Sequence, residues 1–245
     1  MAETTLSKGA CVPKTLDRRR TASVSIVYPD WLVLHELARD VNGSLEEYAR
    51  GMLLDVGCGA KPYRRSDLPI ERWLGVDTAD NAEADLHGNA YDLPVGDRTV
   101  DCILCTQVLE HLESPERALR EFARVLKVGG YLILSAPQYW PLHEEPRDFF
   151  RFTELGLREL AVSTGFVIRC HRTQGLGAAV AGQALNNAIL CAGDTFACKE
   201  ALWFKASKAP FYVTINVVSK LAARFLRSSR DVLNHLIVAE RLAGS

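Results

Sequence analysis

Met52-Leu53-Leu54-Asp55-Val56-Gly57-Cys58-Gly59-Ala60-Lys61-Pro62 decides the fold. Met52 to Val56 is a short apolar run of strand length, and a run buried on both faces belongs to a parallel sheet. It passes directly into a turn holding Gly57 and Gly59. Glycine there accepts a left-handed backbone and lets a ligand approach the main chain at the carboxyl end of the strand. The residues that follow narrow the ligand. A dinucleotide fingerprint carries a further glycine three positions after Gly59. Pro62 stands there instead and offers no N–H to a pyrophosphate. No Gly-Lys-Ser/Thr follows, which excludes a Walker loop.

Outward from this turn, apolar strands alternate with amphipathic helices. Trp73 to Val76, Val100 to Thr106, Tyr131 to Ala136 and Phe166 to Cys170 read as further strands. Pro29 to Val41 has helical spacing and is expected to end at Asn42-Gly43, with another turn or two over Ser44 to Arg50. Pro115 to Leu126 is a helix with Pro115 in its first turn, broken by Gly129-Gly130. Thr153 caps a helix that runs to Thr164 and stops at Gly165. This order predicts an α/β, doubly wound, Rossmann-like sheet with helices on both faces. The distance from Asp55 to Asp77 suits one β-α-β unit, and a carboxylate at the end of the second strand can accept from a ribose diol.

Composition sets the surroundings. Lys plus Arg and Asp plus Glu nearly cancel, leaving a formal charge of -1, which gives no long-range attraction to nucleic acid. Cys11, Cys58, Cys102, Cys105, Cys170, Cys191 and Cys198 form no paired metal-ligand pattern and read as free thiols, so a cytoplasmic location is expected. Residues 1–25, with Arg18-Arg19-Arg20, are expected to be a flexible tail, and 26–245 the folded domain. Thr173 to Gly193 carries no charge, but Gln183, Asn186 and Asn187 in its middle argue for a helix packed on protein rather than a membrane span. Ala206 to Ser229 reads as a basic amphipathic helix. Membrane-surface contact through 206–229 and a homodimer both stay open.

Several ordered motifs carry a family resemblance. Leu53-Leu54-Asp55-Val56-Gly57-Cys58-Gly59 resembles the first motif of the class I S-adenosylmethionine-dependent methyltransferases. Gly88-Asn89-Ala90-Tyr91-Asp92-Leu93-Pro94, Asp101 to His111 and Gly129 to Ser135 are similar to the later ones. The resemblance covers about residues 50 to 170 and implies a seven-stranded sheet with an antiparallel last strand. That divides the domain into a cofactor-binding core over 50–172, a helical insertion over 175–230 and the last strand over 234–240. The implied cofactor is S-adenosyl-L-methionine. Asp55, Gly57, Cys58 and Gly59 would surround its methionine part, with Asp77 and Thr78 at the ribose. Asn89 and Ala90 would meet the adenine, and Cys105 and Thr106 would line the methionine end. One departure is Asn89, where the family often has Asp.

Methyl transfer from a sulfonium is an in-line displacement that depends on placing the acceptor about 3–3.5 Å from the methyl carbon. The loop after the Tyr131–Ala136 strand lies at the carboxyl ends of the strands, where an acceptor would enter. It reads Pro137-Gln138-Tyr139-Trp140-Pro141-Leu142-His143-Glu144-Glu145-Pro146-Arg147-Asp148-Phe149-Phe150-Arg151-Phe152. His143 is the first candidate base because imidazole titrates nearest neutrality, with Asp148, Glu144 and His111 as alternatives. Tyr139, Trp140, Arg147, Phe149 and Arg151 are the candidate acceptor contacts. The segment also resembles one found in a bacterial subgroup acting on glycans and other small molecules. A small-molecule, sugar or lipid-linked acceptor methylated at oxygen or nitrogen is therefore expected. A catalytically silent cofactor-binding partner is the reading from a different class. No His/Asp/Glu spacing typical of a metal site appears, and none is expected.

Overall fold

The computed structural model describes residues 25–194, 202–226, 228 and 230–243. The expected tail therefore lies outside the described residues up to position 24. The strands are β1 (Gly51–Val56), β2 (Ile70–Asp77), β3 (Leu86–His87), β4 (Val100–Thr106), β5 (Leu126–Pro137), β6 (Phe166–Leu176) and β7 (Val232–Arg241). They form one seven-stranded sheet in the order β3-β2-β1-β4-β5-β7-β6. β7 is antiparallel to both neighbours, and the other pairings are parallel. The order reverses at β1/β4, which makes that edge of the turn at Gly57 the switch point where a ligand crevice opens.

Side-chain alternation explains both faces. Leu54, Val56, Ile103, Cys105, Leu132 and Leu134 point to one side, against α2 (Pro115–Val125) and α3 (Glu154–Ser163). Leu53, Cys102, Leu104 and Ile133 point to the other, against α1 (Trp31–Tyr48). Cys102 and Cys105 are thus buried on opposite faces of the sheet and cannot act as a pair. Thr153 caps α3 by accepting from the Gly156 N–H, and Gly165 ends it at φ +96°.

Several expectations need correction. α1 runs through Asn42-Gly43 to Tyr48, because Val41, Leu45 and Ala49 seal one continuous apolar face. No α-helix links β1 to β2. Turns fill that crossover, consistent with the proline in the loop. β5 begins at Leu126 and passes through Gly129-Gly130, where a Cβ on Gly130 would sit 2.9 Å from the Lys127 oxygen and 3.0 Å from the Asp101 oxygen. β6 extends to Leu176, beyond the expected end at Cys170. It is an edge strand, half-exposed, so charged residues such as Arg172 do not end it.

Between β6 and β7 lie α4 (Ala178–Asp194) and α5 (Leu202–Ala222). The amide nitrogens of Gln183 and Asn186 inside α4 are spent on the protein. Gln183 and Asn186 both donate to the Pro29 oxygen, and Asn186 also donates to Asn216 of α5. Asn216 in turn donates to the Ile26 and Tyr28 oxygens. No described helix is long and apolar enough to cross a membrane.

Candidate functional site

β1 delivers the chain into the turn at Gly57, φ +66°, and Gly59, φ +52°, both left-handed. The Gly57 and Cys58 N–H groups donate to the Val76 oxygen, at 2.8 and 3.2 Å, tying the turn to β2. Asp77 closes it. Its Oδ2 accepts from the Gly59 N–H at 2.9 Å and from Asn81 Nδ2 at 2.8 Å, and its Oδ1 accepts from the Thr78 N–H at 2.9 Å. The carboxylate therefore shapes the glycine turn and keeps lone-pair capacity on Oδ1. Asp55 is buried one strand position earlier, and its carboxylate accepts from the Trp73 indole. Burial pushes the Cys58 thiol up to about 12, so Cys58 packs as an uncharged side chain.

A cleft of about 320 Å³ opens beside this turn. Val56, Gly57, Val76, Asp77 and Thr78 form one wall, and Gly88, Asn89, Ala90 and Tyr91 a second. Val108, His111, Leu112, Glu113, Arg147 and Phe149 close the far end. Asp55, Cys58, Gly59, Cys105 and Thr106 do not line it. Cys105 faces the core, and Thr106 lies beside Ser135 in the sheet. Asn89 Oδ1 accepts from the Tyr91 N–H at 2.8 Å. Tyr91, Val108, Leu112 and Glu113 were not singled out from the sequence. Tyr91 and Val108 sat inside quoted motifs, but nothing in their spacing marked them as wall.

The loop after β5 divides into a clamp and a cleft face. Asp148 is the clamp's centre, with 1% of its side chain exposed. It accepts from Arg151 Nη1 and Nη2 at 2.7 Å each and from the His143 N–H at 2.9 Å. Arg151 also donates to the Trp140 and Pro141 oxygens. Burial opposes ionisation of Asp148, but these hydrogen bonds and the Arg151 charge outweigh it and hold its carboxyl below the usual range. Trp140 packs against the α1 side of the core, and Tyr139 is half-exposed away from the cleft wall. Of the five candidate acceptor contacts, the fold brings Arg147 and Phe149 to the cleft.

The histidines separate in the same way. His143 is 1% exposed, and burial pushes its imidazole down against the pull of Asp148. His111 closes a short 3₁₀ turn after β4 and lines the cleft. Its Nδ1 lies 2.6 Å from the Arg147 oxygen. A carbonyl only accepts, so Nδ1 carries a proton, and in the neutral ring the lone pair lies on Nε2. Glu144 Oε2 lies 3.7 Å from that Nε2, and Glu110 Oε1 lies 3.9 Å from it. The fold also collects Glu110, His111 and His143 into one group, a constellation that spacing along the chain does not display.

Residues 54–134 match the family described as "Methyltransferase domain". Over that segment the chain is similar to S-adenosylmethionine-dependent methyltransferases. A probable S-adenosylmethionine-dependent methyltransferase of Mycobacterium tuberculosis is 36% identical over 88 residues, covering 34% of this chain and 32% of that protein. A ubiquinone/menaquinone biosynthesis C-methyltransferase of Hahella chejuensis is 31% identical over 121 residues, covering 48% of this chain and 40% of its own. The chain spans about a third of the length of the first curated relatives it matches. Among solved structures, a [4+2]-cyclase, SpnF, superposes with a TM-score of 0.55 at 19% identity, over 86% of this chain and 84% of that one. That likeness shows the fold. The family's matched segment includes the glycine turn, Asp77 and His111, and stops before the clamp loop.

Proposed function

We propose that the cleft binds S-adenosylmethionine and that the chain transfers its methyl group to a small-molecule, sugar or lipid-linked acceptor entering beside His111, Arg147 and Phe149. The observation that carries this reading is the pairing of Asp77 with the left-handed turn at Gly57 and Gly59 on one wall of the cleft. Asp77 Oδ1 offers acceptor capacity to a ribose diol. Asn89, with Oδ1 spent on Tyr91, presents its amide N–H to an adenine ring nitrogen, in place of the carboxylate the family often has there. Gly57 allows the methionine part to pass close to the backbone.

At the far end, Arg147 and Phe149 offer a charge and a ring face to the acceptor. His111 presents the Nε2 lone pair to it, in the tautomer fixed by the Arg147 oxygen. His143, Asp148 and Arg151 act in this reading as the scaffold that holds the loop in place. Glu144 lies beside His111, where it can share a proton leaving an oxygen or nitrogen acceptor.

Two measurements test the proposal. Calorimetric titration with S-adenosylhomocysteine is expected to show one site per chain, and no binding at millimolar concentration refutes the cofactor assignment. Transfer of a ¹³C-labelled methyl group into fractionated extract then identifies the product. Its carbon shift separates oxygen and nitrogen acceptors from the carbon acceptor suggested by the Hahella relative's name. Cofactor binding without any labelled product would instead favour a catalytically silent partner subunit.

A further inference from the structure

We infer that Glu110, His111 and His143 form a binding site for one divalent transition-metal ion at the acceptor end of the cleft. The inference deepens the proposed methyl transfer and rests on it for its purpose, but not for its test; with the ion bound, the His111 Nε2 lone pair is held by the ion, and the acceptor meets the ion in place of that lone pair. Each of the three residues brings one ligand atom, and these atoms lie within 4.8 Å of one another. The two rings meet edge to face, with centroids 4.7 Å apart and planes at 70°.

The outer contacts match what metal-bound histidines require. His111 Nδ1 is held by the Arg147 oxygen at 2.6 Å. His143 Nδ1 is held by Asp148 Oδ2 at 3.1 Å and the Pro141 oxygen at 3.2 Å. All three partners are acceptors, so both Nδ1 atoms carry a proton, and in each neutral ring the lone pair lies on Nε2. A ligating histidine characteristically gives its other N–H to a carboxylate or a backbone carbonyl, which fixes tautomer and ring orientation. Here one ring has the carbonyl and the other has the carboxylate. That carboxylate is itself pinned by two bonds from Arg151.

The charges point the same way. One ring nitrogen of each histidine and an oxygen of the buried Glu110 carboxylate gather in one small volume, with Glu144 nearby. Two imidazoles and one carboxylate suit a borderline ion such as Zn²⁺, Mn²⁺, Fe²⁺ or Co²⁺, whereas Mg²⁺ and Ca²⁺ prefer all-oxygen sets. Because His111 lines the cleft, the open coordination position faces the acceptor. Three protein ligands and an open position are the pattern of a site that acts on a ligand. The acceptor class this favours is one with an oxygen able to ligate the ion: a hydroxyl, a vicinal diol or a phosphate.

The test uses the full chain, stripped with a chelator and titrated with Co²⁺ and Zn²⁺ in parallel with S-adenosylhomocysteine. One Co²⁺ per chain is expected, with visible d–d absorption of a site with mixed nitrogen and oxygen ligands, displaced by Zn²⁺. Glu110→Gln and His143→Ala are each expected to weaken Zn²⁺ binding at least 100-fold. Asp148→Asn, which leaves the three ligands in place but weakens the outer contact and its pairing with Arg151, is expected to weaken it roughly 10- to 100-fold. Retained S-adenosylhomocysteine affinity shows that a variant is folded, and Glu110→Gln serves where His143→Ala is not. No bound ion, or undiminished binding in folded Glu110→Gln, overturns the site while leaving the cofactor assignment standing. Metal binding without S-adenosylhomocysteine binding overturns the cofactor assignment instead.

Discussion

Replacing Asp77 by Asn tests the cofactor wall with almost no change in shape. In the native turn one oxygen serves Gly59 and Asn81, and the other serves Thr78. The Asn side chain has one acceptor oxygen, and its amide nitrogen only donates. Placing that nitrogen against Gly59 and Asn81 would lose two bonds, so it is expected on the Thr78 side. That is the side whose remaining lone pair is free for the ribose. The Thr78 bond is lost in both free and bound protein and cancels from the affinity. The hydrogen bond from ribose hydroxyl to carboxylate does not cancel, and one to a charged group contributes about 1.5–3 kcal/mol. S-adenosylhomocysteine should therefore bind roughly 10- to 150-fold more weakly, since each 1.4 kcal/mol is about tenfold. Isothermal titration of both proteins measures this, with urea unfolding as the check that the variant is folded. A folded Asp77→Asn protein whose affinity stays within about threefold of native would place the ribose elsewhere and refute the reasoning.

Other substitutions separate the cleft from its support. His111→Ala should lower turnover roughly 100- to 10,000-fold while S-adenosylhomocysteine affinity stays near native; equal loss in both would make His111 a structural residue. Asp148→Ala leaves Arg151 and the His143 N–H facing a void, and should lower unfolding free energy by about 3 kcal/mol, the low end for a broken buried pair because Arg151 is partly exposed. A urea midpoint shift worth less than about 1 kcal/mol would show the clamp to be dispensable. His235 donates to Gln138 and accepts from His171, and burial pushes its imidazole down to about 4. An unfolded histidine takes up its proton near pH 6.5, so between there and pH 4 the unfolded chain binds more protons and stability falls, by at most about 3 kcal/mol. His235→Gln should lose this part of the pH dependence, and an unchanged slope of urea stability over that window would contradict it.

The sequence by itself determined what depends on neighbours along the chain. The run from Met52 into the turn at Gly57 is apolar enough to be a central strand, and Pro62 removes the N–H a pyrophosphate would need. Both are local facts, and the strand–turn order, the cap at Thr153 and the stop at Gly165 follow from the same kind of reading. Tertiary structure decided whatever depends on packing between distant segments. α1 ignores Asn42-Gly43 because burying Val41, Leu45 and Ala49 outweighs a weak helix former. β6 outruns its apolar stretch because an edge strand is held by backbone bonds to β7 rather than by burial of every side chain. In the loop after β5 the sequence offers three acids and two arginines with no order among them. Folding sorts them by depth: Asp148 and Arg151 lock together below the surface, and Arg147 is left on the cleft. It also brings His143 beside Glu110 and His111, more than thirty residues earlier in the chain. Distance along the chain carries no information about such a meeting. The three residues meet because the ends of β4 and β5 are adjacent in the sheet, and that adjacency is a property of the whole fold.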